Sequence, residues 1–133
     1  MGAEYDMIAA EECAERAARS TVILQEVKPD NPGIYFISTE DGLFTKIGWV
    51  KYSQWADLRL EQLQIGNPVA LLIEMVVSPG RISQERKLHR RFAQYMSRGE
   101  WFRREGELRM ILDASRENKE SAVAYVQSII DPD

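Results

Sequence analysis

Two side chains four residues apart, Glu85 and His89, open the chemical reading of this sequence. On a helix over residues 83–98 they fall in one arc with Ile82, Leu88, Phe92, Tyr95 and Met96. Arg86, Lys87, Arg90, Arg91 and Arg98 fall outside that arc. The pattern aims one carboxylate and the chain's single imidazole along the core-facing side, near enough to touch. A lone buried carboxylate is costly, so something positive must meet it: His89, Arg59, Lys46 or a metal ion. A purely structural Glu–His or Glu–Arg pair would satisfy it as well.

The other two cations need elements to position them. Residues 52–65 read as a helix with Tyr52, Trp55, Ala56, Leu58 and Leu63 on its apolar face, and Arg59 falls in the middle of that face. A guanidinium rarely enters a core without an anion; the alternatives are a snorkelling side chain or a pair with a buried carboxylate. Lys46 lies on a strand over residues 43–49, whose alternation sets Phe44, Lys46 and Gly48 against Leu43, Thr45, Ile47 and Trp49. A preceding strand over residues 34–38 carries Tyr35, and the turn Thr39-Glu40-Asp41-Gly42 has the Asp-Gly chemistry of a hairpin.

The remaining elements follow from breakers and periodicity. Residues 4–19, rich in Ala, Glu and Arg, read as a helix with a thin apolar side, packed at the core's edge or on a partner. Residues 21–27 read as a strand before Pro29, Pro32 and Gly33. The apolar run over residues 69–77, interrupted by Glu74, reads as a central strand. Gly99 ends the 83–98 helix, Trp101 and Phe102 plug the core, and residues 106–113 and 117–130 read as C-terminal helices.

With 133 residues, 44% apolar and 29% charged, the chain is sized for one globular domain. Its longest apolar run is too short to cross a bilayer, so no membrane association is expected and an intracellular, cytoplasmic protein is. One Cys and one His, far apart, exclude an internal disulfide and a Cys/His zinc site. The net charge of −4 is unevenly spread: residues 1–20 are acidic and residues 81–104 basic. The basic stretch could meet phosphate or could simply be a solvated helix face.

The ordered set Gly33-Ile34-Tyr35, Lys46-Ile47-Gly48, Arg59, Glu85-x-x-x-His89 and Glu100-Trp101-Phe102 resembles the GIY-YIG nuclease superfamily, closest to its small phage-type and meiotic-gene-type branch. The resemblance spans residues 33–103. It implies an α+β fold, a small three-stranded antiparallel sheet flanked by helices. The domain would run over residues 29–104, with helical extensions at 1–28 and 105–133. It implies a divalent-metal endonuclease that hydrolyses phosphodiester bonds in nucleic acid, usually DNA.

The family's first tyrosine falls on Tyr35, its catalytic arginine on Arg59 and its metal-binding glutamate on Glu85; Lys46 stands where the second tyrosine would be. These residue types suit the chemistry. Glu85 can hold Mg²⁺ or Mn²⁺ through oxygen, with waters and phosphate completing the shell. Arg59 can grip phosphate through two parallel hydrogen bonds. Tyr35 needs a nearby cation to act as a base, which Lys46 could supply unless it contacts the phosphate itself. His89 is either a base or an orienting group for Glu85. Glu100 is a weaker supporting candidate, and Lys51, Arg81 and Arg103 could flank the nucleic acid. Trp49, Tyr52 and Trp55 could stack on bases, with core packing the better placement for Trp55. Two alternatives remain: a binding module for nucleic acid or protein on the same fold with weakened catalysis, and a regulatory subunit or homo-oligomer docked through the N-terminal helix.

Overall fold

A computed structural model describes residues 30–131; the helix and strand expected over residues 4–19 and 21–27 lie outside them. The chain forms β1 (Gly33–Thr39), β2 (Phe44–Val50), α1 (Ala56–Gln64), β3 (Leu71–Val77), α2 (Ile82–Arg91), β4 (Met96–Arg98), β5 (Trp101–Arg103), α3 (Gly106–Glu117) and α4 (Lys119–Ile130). The class is α+β, with one antiparallel sheet in the order β3-β1-β2-β5-β4.

The β1–β2 hairpin is built by its turn. Asp41 accepts from the Leu43 N–H at 3.0 Å, and Gly42 takes the left-handed φ of 79° that a side chain would resist. The resulting register is Gly33 to Val50, Tyr35 to Gly48 and Ile37 to Lys46. Every residue of β1 is buried, because helices cover both faces of the sheet. On one face, α2, α3 and α4 send Leu88, Phe92, Leu108, Ile111, Leu112, Val126 and Ile130 against Ile34, Phe36, Ile47, Met75 and Phe102. On the other, Ala56 and Leu60 of α1 meet Tyr35, Ile37, Val50, Leu71 and Val76. Each such apolar side chain contributes roughly 1.5–3 kcal/mol by leaving water.

Four expectations need correction. The sheet has five strands: residues 96–103 fold into a β4–β5 hairpin turned at Gly99, φ 58°. The helix expected to reach residue 98 therefore stops at Arg91, and Ala93–Tyr95 form a single 3-10 turn. Pairing of Phe44, Thr45 and Lys46 with Arg103, Phe102 and Trp101 outweighs the helical spacing of Tyr95 and Met96, and leaves Met96 exposed.

The strand over residues 69–77 is an edge strand, not a central one. It reads as continuously apolar because α1 covers one of its faces and α3 and α4 the other. Glu74 inside that run accepts from the buried Arg104 and, at 3.0 Å, from Arg116, while Arg104 also reaches Asp113 at 3.1 Å.

The helix expected over 52–65 begins with a 3-10 turn at Ser53–Trp55. That turn advances about 120° per residue instead of 100°, which rotates the wheel. The buried face is Ala56 and Leu60, while Trp55, Leu58 and Arg59 are exposed. Trp101 and Phe102 divide between the two faces: Phe102 is fully buried under α2 and α3, and Trp101 packs against the α1 side.

Candidate active site

The β2–β5 register ends at Lys46, with the Ile47 N–H still donating to the Glu100 carbonyl at 3.2 Å, and beyond it no described strand pairs with that edge of β2. A cleft of about 640 Å³ crosses that edge, large enough for a nucleotide-sized ligand. Tyr35, Lys46 and Arg59 reach it from the α1 side of the sheet, and Trp49, Glu85, Arg86 and His89 from the α2 side; Glu100 sits on the β4–β5 turn between them. All five residues singled out for catalysis thus line one cavity.

The hairpin register places Tyr35. It faces Gly48, and a Cβ added at Gly48 would lie 2.2 Å from the phenol oxygen, so the ring occupies the volume a side chain would take. Burial pushes the Tyr35 phenol up to about 12; the Arg59 charge pulls it down, and Glu100 and Glu85 push it further up. At neutral pH the group is a hydrogen-bond donor aimed into the cleft rather than a ready base.

Lys46 holds Glu100 at 3.1 Å and lies 5.9 Å above the Trp101 ring, so its ammonium is fixed from two sides. Arg59 is exposed on the cleft's lip. Its side-chain hydrogen bond among the described residues is a long one to Gln62, 3.4 Å, and no ion pair with it occurs there. Arg59 lies on the apolar face by spacing, but its side chain is exposed and reaches the cleft from the lip rather than entering the core.

Glu85 lies in the first turn of α2 and is almost fully buried. Burial raises its carboxyl pKa above the ordinary value; His89, Arg86 and Lys46 oppose the shift and Glu100 adds to it. His89 donates Nε2–H to the Ile47 carbonyl at 2.8 Å, capping the first free carbonyl of the β2 edge, and the Glu85 carboxylate stands 3.5 Å from the same nitrogen. Nε2 is thus committed to the Ile47 carbonyl, which holds the imidazole beside Glu85. The Phe102 ring, 5.2 Å away, fixes the imidazole plane.

One cation was missed. Arg86 was placed on the solvent face of its helix, yet it lines the cleft beside Glu85. Its position three residues before His89 was the available signal. Conversely, Lys51, Arg81 and Arg103 do not line the cleft. Lys51 sits 5.5 Å over the Tyr52 ring, Arg81 opens α2 with its N–H on Gln84, and Arg103 is held by Glu105 and the Gln94 carbonyl. Lys87 and Arg91 also turn away: Lys87 donates to the Ile130 carbonyl and Arg91 forks onto Glu107.

No group of three His, Cys, Asp or Glu side chains that could hold a metal occurs among the described residues. Glu85 is the buried carboxylate of the cleft, with His89 Nε2 at 3.5 Å; it is the residue that would hold a hydrated Mg²⁺ or Mn²⁺, which use one or two carboxylates with substrate phosphate. No helix among the described residues is long and apolar enough to cross a membrane. No family model, curated protein or solved structure matches the chain.

Proposed function

We propose that the cleft binds a nucleic-acid phosphodiester, in the first place DNA, and hydrolyses it with Mg²⁺ or Mn²⁺ at Glu85, as the resemblance to the GIY-YIG nucleases implies. The observation that carries this reading is the arrangement of three cations, Lys46, Arg59 and Arg86, around one buried carboxylate in an open cleft. The cations can neutralise a phosphate, and the carboxylate can hold the metal that a phosphate would share.

Within that reading each side chain has a task. Arg59 binds two phosphoryl oxygens through its fork, and Arg86 adds a second point of charge. The Tyr35 hydroxyl donates to a phosphoryl oxygen. Lys46 stabilises charge that builds as the phosphoryl group is attacked. Glu85 would hold the cation and His89 keeps that carboxylate turned to the cleft. Bound there, the metal supplies positive charge beside the phosphoryl oxygens and lowers the pKa of water.

A second reading, a phosphate-binding module without hydrolysis, is favoured by the state of the hairpin pair: Tyr35 stays protonated and Lys46 is tied to Glu100, so neither stands ready as a base. Cleavage of supercoiled plasmid with Mg²⁺ or Mn²⁺, beside Glu85→Ala and Arg59→Ala, separates the two. Metal-dependent cutting lost in both variants supports the nuclease. Salt-sensitive binding without cutting supports the module.

A further inference from the structure

Trp55 is the residue whose position the cleft does not explain. Its indole is 42% exposed, although an indole is among the most rewarding side chains to bury. It is also rigid. The 3-10 turn that carries it is anchored by Ser53, whose N–H and hydroxyl both donate to the Asn31 carbonyl, at 2.7 and 2.6 Å. Tyr52 braces the ring edge-to-face, with centroids 4.6 Å apart at 85°.

Its position relates it to the cleft. Trp55 ends the 3-10 turn, Arg59 follows it by four residues, about one turn into α1, and Leu63, one turn further on, lines the cleft with Arg59. Trp55 is therefore about one helical turn from Arg59, outside the residues that line the cleft itself. The acids of α1, Asp57 and Glu61, each fall about 160° from Arg59. Lys51, over the neighbouring Tyr52 ring, adds positive charge at the same end. An exposed, braced aromatic ring one turn from a guanidinium that has no ion pair among the described residues is a pairing suited to a flat base attached to a phosphate.

We propose that Trp55 is a stacking platform for an unpaired nucleobase whose phosphate sits on Arg59, so that the substrate class is single-stranded nucleic acid or a duplex with an extruded base. The proposal rests on the phosphate-binding reading of the cleft. A base inside an intact duplex has no free face to offer an indole, so the platform selects for unstacked positions.

The test is fluorescence anisotropy of the full chain with a labelled oligothymidylate and with a blunt duplex of equal length, in EDTA to prevent cleavage. Trp55→Ala should lose about 10-fold or more in single-strand affinity, and Trp55→Phe should retain most of it. Duplex affinity should stay within about two-fold, and far-UV circular dichroism should be unchanged. Arg59→Ala should weaken both ligands. If Trp55→Ala binds the single strand like wild type while Arg59→Ala does not, the platform is wrong and the cleft reading stands. If no form binds nucleic acid, both readings fall. If Trp55→Ala instead converts a dimer to a monomer in sedimentation with single-strand affinity unchanged, the ring docks a second copy of the chain and the platform is again overturned.

Discussion

Tyr35 lies across Gly48 on the neighbouring strand, its ring filling the space where a Cβ would come within 2.2 Å of the phenol oxygen. The two glycine-bearing triplets are therefore one structural unit: the glycine of the second makes room for the tyrosine of the first. Gly48→Ala should drive Tyr35 out of the cleft wall. Overpacking of this kind costs roughly 1–3 kcal/mol, and cleavage should fall further than stability does. Urea titration and plasmid cutting on the same preparation check it. An alanine variant as stable and active as wild type would mean that the ring has another resting place.

That unit was legible because both triplets, the Asp41-Gly42 turn and the strand alternation agree on one hairpin. Residues 92–103 were not. Phe92 and Tyr95 keep helical spacing, and no Gly or Pro interrupts the chain before Gly99, so only the partner strand β2 decides that β4 and β5 form. The face of α1 was misread for a smaller reason, the 3-10 turn ahead of it, and that error hid Arg59 in the core and Trp55 with it. Glu85 and His89 kept their places because the part of the helix that carries them is regular.

Glu74 illustrates what spacing in a sequence cannot convey. It interrupts an apolar strand, and its partners, Arg104 and Arg116, lie 30 and 42 residues away. Both Glu74 and Arg104 are 3% exposed. Among the described residues, Glu74→Ala would leave the buried Arg104 with the exposed Asp113 and the uncharged Ser38 hydroxyl, at a cost of about 3–5 kcal/mol. Replacing Glu74 and Arg104 together by methionine should cost far less, because the charge then left without its partner, Arg116, is half exposed and returns to water. Urea unfolding of the two variants measures the difference. Equal losses would show that packing, not the ion pair, ties α3 to β3.

Burial at the cleft gives Glu85 a pH signature. Its carboxyl pKa in the folded protein is raised above the ordinary 4.5, so the unfolded chain ionises first as pH rises. The stability this group contributes is fully present below about 4.5 and is lost as pH climbs through the raised value. Glu85→Gln should match wild type at acid pH and become the more stable protein toward neutrality, while losing cleavage. Mg²⁺ should narrow that gap by raising the melting temperature of wild type alone, since only the carboxylate can hold it. A glutamine variant less stable than wild type at neutral pH without metal would show that the carboxylate is held by a partner charge after all.

On the phosphate-binding proposal, Glu100 competes with the ligand for the Lys46 ammonium. The pair is 3.1 Å apart with Glu100 about half exposed, so an incoming phosphate must compete with that carboxylate for the ammonium. A pair of this exposure is worth no more than about 1 kcal/mol. Glu100→Gln should therefore tighten nucleic-acid binding by up to about five-fold, and Lys46→Met should weaken it and reduce the salt slope by about 1. Together the substitutions should bind like Lys46→Met alone, because without the ammonium the acid has little left to oppose. Anisotropy titrations across a salt series resolve all three. Should Glu100→Gln instead weaken binding in Mg²⁺ but not in EDTA, Glu100 would be acting on the same side as Glu85, as a second holder of the metal, and the competition argument would fail.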